Sequence, residues 1–224
     1  MTPPLLTALA LSALAAGAPA LAENRQLIDD FSTGHVPAKP IKKGHTSSSQ
    51  TGSMVGGARN TTLTLCDTSC NTANPYTQMA AYSYVPNKAK AGENAFVQSA
   101  GIETWPRIEQ SYGPMHMNFS AYDRVRLNFV GLSASLNFNL LMFTEGGHGQ
   151  NACNLPALNQ PFSVELPYSG FAMENGGFVA SDITDLAFVY QSGSTIGSVE
   201  FGIRSIEVSD TPQAGAIVCS LTGG

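Results

Sequence analysis

Two glutamates six residues apart, Glu103 and Glu109, are the chain's nearest approach to the paired carboxylates that sugar hydrolysis uses as acid and base. Four histidines are present, His35, His45, His116 and His148, and none falls in the H-x-H or H-E-x-x-H spacing that places two imidazoles on one metal. His148 lies in Glu145-Gly146-Gly147-His148-Gly149-Gln150. This stretch reads either as a mobile loop over a site, with Glu145, His148 and His116 as metal ligands, or as a solvated hairpin tip. Any catalytic reading of the chain therefore rests on Glu103, Glu109, His116 and His148. There is no G-x-S-x-G elbow, phosphate-binding loop or dinucleotide fingerprint.

Aromatic and amide side chains offer a second chemistry, because flat rings stack on the apolar face of a pyranose while amides exchange hydrogen bonds with its hydroxyls. Tyr82 and Tyr84 are two apart on a predicted strand and share a face. Trp105, the only tryptophan, sits between Thr104 and Pro106, and Tyr112 and Tyr168 flank turns. Together these rings form either a ligand platform or part of the core. Asn137 and Asn139, with Asn118, Gln150 and Asn151, supply the amides.

The elements that must position these groups are strands. In Arg124-Val125-Arg126-Leu127-Asn128-Phe129-Val130 and again in Leu136-Asn137-Phe138-Asn139-Leu140, apolar and polar residues alternate as in a strand with one wet face. Gly131 to Ser135 is short enough to join the two as an antiparallel hairpin. Further strands are predicted at 27–31, 61–66, 77–85, 94–99, 161–166, 183–190 and 198–209, and 32–52 reads as a polar loop. Val199, Phe201 and Ile203 are out of phase with Ile206 and Val208, so a β-bulge is expected near Arg204-Ser205. No segment past the leader keeps helical spacing, and helices should be few.

Residues 1–22 read as a signal peptide: an apolar run from Leu5 to Ala16 ends in Ala18-Pro19-Ala20-Leu21-Ala22, before the polar Glu23-Asn24-Arg25-Gln26. The expected mature chain, 23–224, is one β-sandwich domain, secreted or periplasmic, with no membrane span after cleavage. Charged residues make up 12% of the chain and the net charge is -5, which excludes nucleic acid as a partner. Four cysteines in an oxidising compartment allow three pairings; Cys66 with Cys70 and Cys153 with Cys219 is the favoured set.

The Asp-Asp-Phe opening strand, Gly56-Gly57-Ala58-Arg59 before a strand, Ser120-Ala121-Tyr122-Asp123-Arg124-Val125-Arg126-Leu127, Pro161-Phe162, and Phe201 to Val208 occur in an order that resembles the galactose-binding-like jelly roll. That sandwich of two antiparallel sheets is found in carbohydrate-binding modules and in exported bacterial proteins. The resemblance implies a non-catalytic surface for a glycan or cell-envelope polymer, with Trp105, Tyr82, Tyr84, Tyr112, Asn137 and Asn139 as ligand residues. An enzyme of the same fold, or an envelope structural protein, is the alternative. The resemblance requires no cofactor, but it implies a structural calcium between opening and closing strands, for which Asp29, Asp30 and Asp210 are the candidates.

Overall fold

The computed structural model describes residues 23–37, 40–65, 78–84, 95–100, 106–192 and 199–221, with only the backbone of Tyr84, Gln98 and Ser99. The strands in chain order begin with β1 (Arg25–Asp29), β2 (Gly44–Thr51), β3 (Ala58–Leu65), β4 (Met79–Tyr84) and β5 (Ala95–Ala100). There follow β6 (Pro106–Tyr112), β7 (Arg124–Leu132), β8 (Leu136–Thr144), β9 (Gly147–Leu155) and β10 (Phe162–Pro167). The last are β11 (Ala172–Glu174), β12 (Asp185–Ser192), β13 (Val199–Ser209) and β14 (Ile217–Val218). They form two seven-stranded sheets. The back sheet runs β14-β10-β7-β13-β5-β4, with β1 also paired to β13, and the front sheet runs β11-β9-β8-β12-β6-β3-β2. The only helical elements among the described residues are two 3-10 turns. The chain is thus the all-β jelly-roll sandwich expected, antiparallel throughout except where short β14 runs parallel to β10.

Alternation explains the layers. On β8, Leu136, Phe138, Leu140 and Met142 are buried, while Asn137, Asn139, Leu141 and Phe143 face outward. Phe138 and Tyr190 of the front sheet meet at 5.2 Å between ring centroids, and Tyr190 reaches Phe201 of the back sheet at 5.2 Å. Burying each such side chain stabilises by roughly 1.5–3 kcal/mol, which is what holds the two layers face to face.

The predicted bulge is present: along β13, Ile203 pairs with Phe129 and Ser205 with Asn128, so Arg204 is the extra residue. Both Ile203 and Ile206 are consequently buried. The predicted hairpin is not present. β7 lies in the back sheet and β8 in the front, so residues 133–135 cross between layers. Leu132 bridges to Leu158, and Ser133 N–H donates to the Glu200 carbonyl, which turns the chain at this corner. The stretch 32–52 also contains more structure than expected: β2 pairs with β3 over eight residues, Gly44 with Leu65 through Thr51 with Ala58. Its inward residues are Thr46, Ser48 and Gln50, so no apolar alternation betrayed it.

The acids proposed for calcium are used otherwise. Asp29 is buried between the sheets, where it pairs with Arg59 and accepts from Tyr112 Oη (2.9 Å) and Phe31 N–H (2.8 Å). Asp30 accepts from Ser32 N–H, and Asp210 from Asn24 N–H. In the β1–β13 register Arg25 lies opposite Ser209 and Asp29 opposite Ile206. Asp210 is four residues beyond Ile206, so the Asp29 and Asp210 backbones are about 13 Å apart along β13 at its rise per residue, and the three acids are taken up by separate partners. Tyr112 is corrected with them: it is 0% exposed and belongs to the core.

Both ends of the described chain are clamped to the back sheet. Arg126 Nη1 donates to Glu23 (2.6 Å) and Glu207 (3.0 Å), Nε to Glu165 (3.0 Å), and Nη2 to the Thr211 carbonyl (2.6 Å). Cys153 on β9 bonds Cys219 just past β14, with Cα atoms 5.3 Å apart, and so closes one open side of the sandwich. Cys66 and Cys70 lie outside the described residues.

Candidate functional site

The front sheet's outer face is a polar surface set by register. Gln191 of β12 lies beside Asn137 of β8, and Asn137 beside Asn154 of β9; on the other flank Gln191 meets Arg107 of β6, which meets Thr64 of β3. The next row outward-facing residues carry Glu109, Val189, Asn139 and Ala152. Neighbouring strands are about 4.8 Å apart, so Gln191, Asn137 and Asn154 form a row of carboxamides at that spacing. None of the three is hydrogen-bonded through its side chain to another described residue. Each thus offers two donors and an acceptor to whatever lies on the face. Gln150 Nε2 donates to Asn139 Oδ1 at 3.1 Å, which orients that amide.

The row opens into a hollow of about 530 Å³ lined by Asn137, Asn139, Asn154 and Gln191. Its far wall is the C-terminal segment Val218 to Leu221, held by the Cys153–Cys219 bond and by Cys219 N–H donating to the Glu165 carbonyl (2.8 Å). Leu221 N–H donates to the Gly170 carbonyl (3.0 Å), and Asn151 Nδ2 to the Cys219 carbonyl (3.1 Å). Along β8 the outward residues run Asn137, Asn139, Leu141 and Phe143, a passage from amide to aromatic over about 20 Å. At its end the Phe143 ring stacks on His148 at 5.2 Å.

Electrostatics on this face are nearly neutral. Arg107 and Glu109 neutralise each other at 2.9 Å while about half exposed, a pair worth at most about 1 kcal/mol. Glu109 sits opposite Val189, and Asp185 is four residues further along β12. The Glu109 and Asp185 backbones are therefore about 13 Å apart along the strand direction.

Of the residues singled out in the sequence, Asn137, Asn139, Gln150, Glu109 and His148 come together on this one face. Of the two readings of the Glu145 to Gln150 stretch, the hairpin tip is the one found: Glu145 and Gly146 make the exposed turn between β8 and β9, and His148 lies within β9, 3.3 Å from Glu174. His116 is on a separate loop, 2.9 Å from Asp182. The triad of Glu145, His148 and His116 is not assembled, and among the described residues no group of three potential ligands could hold a metal. Tyr82 is on the outer face of the other sheet, beside Val97. Tyr84 follows it on β4, its side chain outside the description, and Glu103 and Trp105 lie outside the described residues. Asn118 caps its own turn, accepting from Ser120 N–H, and Asn151 is buried. Sequence reasoning missed Gln191 and Asn154. The signal available was their phase: each is next in sequence to a buried residue of its own strand, Tyr190 and Leu155, and so had to face out.

The chain matches no protein-family model, and no curated protein sequence is similar to it. Among solved structures it is similar to a family 11 carbohydrate-binding module from Clostridium thermocellum, in complex with a beta-1,3-1,4-mixed-linked tetrasaccharide. The identity is 12% and the TM-score 0.42, over 87% of this chain and 97% of that one. The family 11 module of cellulosomal cellulase Lic26A-Cel5E of the same organism gives 12% identity and a TM-score of 0.42, over 86% and 98%. An exo-beta-agarase gives 13% and 0.39, over 60% of this chain and 22% of that one. Likeness of this degree carries no argument about the ligand of the present chain.

Proposed function

We propose that the protein is an exported, non-catalytic binding protein that holds a neutral glycan or cell-envelope polymer against the outer face of the front sheet. One observation carries the reading: three carboxamides, Gln191, Asn137 and Asn154, stand in a row with no side-chain partner among the described residues, beside an apolar strip that ends in the Phe143–His148 stack. Sugar hydroxyls both donate and accept, and a carboxamide matches both roles without the desolvation penalty of a charge. Leu141 and Phe143 supply the apolar surface on which ring C–H groups rest. Each such hydrogen bond contributes roughly 0.5–1.5 kcal/mol net, so affinity accumulates along a polymer rather than at one unit. Export follows from the leader read at 1–22, and the Cys153–Cys219 bond supports it.

Affinity gel electrophoresis against neutral polysaccharides (mixed-linkage glucan, xylan, agarose) tests the proposal. At least one polymer should retard the protein, and Asn137→Ala with Gln191→Ala should abolish the retardation while leaving the melting temperature unchanged. Retardation that survives the double substitution, or none with any of the three polymers, would overturn it.

A further inference from the structure

The outer face of the back sheet holds a second groove with different chemistry. In register across it, Tyr82 of β4 lies beside Val97 of β5, Val97 beside Gly202 of β13, and Gly202 beside Gly131 of β7. A hollow of about 410 Å³ lies over these residues and Val130, which is 38% exposed. The glycine keeps its floor open, since a Cβ at Gly202 would come within 3.3 Å of Val130 Cβ. A flat apolar floor walled by a tyrosine suits one face of a sugar ring.

Two residues further along β7 and β13 a second hollow of about 570 Å³ is lined by Asn128, Ser163, Arg204 and Ser205. The β13 bulge builds this part. Because Arg204 is the extra residue, it and Ser205 both reach the outer surface. Ser163 Oγ donates to Asn128 Oδ1 (2.7 Å), and Asn128 Nδ2 donates to Ser205 Oγ (2.9 Å). Ser205 is thereby the acceptor at the end of the relay, and its own proton is left to donate outward. Arg204 is paired with no described residue and adds its five N–H donors. This end of the groove is rich in donors and carries a positive charge, the complement of a carboxylate.

We propose that this groove binds an oligosaccharide carrying a single uronic acid, with the carboxylate on Arg204 and Ser205 and a neutral neighbouring sugar on Tyr82. It is independent of the front face. The probes are a short xylose oligomer bearing one glucuronate and its carboxyl-reduced neutral counterpart, each titrated calorimetrically into the full chain. The acid should bind roughly ten- to a hundredfold more tightly than the reduced oligomer, with the preference fading as salt rises. Arg204→Gln should erase the preference, Tyr82→Ala should weaken both ligands and Tyr82→Phe should restore them, each read in an Asn137→Ala, Gln191→Ala background that silences the front face. Equal affinity for the two oligomers, no binding of either, or a preference that persists in Arg204→Gln would overturn the proposal.

Discussion

Arg59→Met tests the buried ion pair that ties the two sheets together. Arg59 is 0% exposed and donates to Asp29 of β1, to Gln50 Oε1 of β2 (3.2 Å) and to the Gly34 carbonyl (2.6 Å). Its guanidinium also sits 5.0 Å from the Phe31 ring centroid. Methionine fills much of the same space but leaves Asp29, itself 2% exposed, without a countercharge. Removing one partner of a buried pair costs about 3–5 kcal/mol, and for a domain of this size each kcal/mol lowers Tm by roughly 2–4 °C. The expected loss is thus on the order of 6–20 °C by differential scanning calorimetry at neutral pH. The effect should depend on pH. Burial holds the Asp29 carboxyl above its ordinary range, against the pull of Arg59, and without Arg59 it rises further. A carboxyl raised in the folded state loses stability as pH climbs from its unfolded value through its folded one, so the deficit of Arg59→Met should shrink in acid. Asp29→Asn added to Arg59→Met should recover part of the loss. A shift under about 3 °C, or a double variant that loses the sum of both single changes, would refute the reasoning.

Cys153→Ala with Cys219→Ala opens a loop closed over a sequence separation of 66, for which chain entropy gives about 4 kcal/mol of lost stability. The same change frees the wall of the amide hollow, so polysaccharide retardation should weaken in parallel with Tm, and retention of both would contradict the assignment. Hydrogen bonds from Arg126 and Ser209 hold the Glu23 carboxyl below its ordinary range. Its contribution is therefore present above the unfolded value and lost as pH falls through the folded one, and Glu23→Gln should flatten the Tm-against-pH curve on the acid side. A curve of unchanged slope would remove Glu23 from the clamp.

Much of the architecture was legible because one residue's phase decides its face. The slip between Ile203 and Ile206 located the bulge on β13, and alternation at 136–140 placed Asn137 and Asn139 outside. What failed were the choices that depend on partners. A short connection at 131–135 suits a hairpin or a crossing between layers equally, and only the partners of β7 and β8 decide. β2 escaped notice because it buries amide and hydroxyl groups, Gln50 hydrogen-bonding to Ser48 and Thr61, in place of apolar ones. Tyr112 and Asp29 looked like surface chemistry because the arginine that draws Asp29 inside is 30 residues away and the tyrosine 83. The amide row was half visible for the same reason: Gln191 and Asn154 join Asn137 through long-range register that no local pattern records.

The most direct measurement of the central claim is a nitrogen-edited NMR titration of the protein with a neutral oligosaccharide, read at the side-chain NH₂ signals. The account predicts that Asn137, Asn154 and Gln191 shift together and saturably. Shifts confined to Asn128 and the back sheet, or no saturable shift at the three front-face amides, would contradict it.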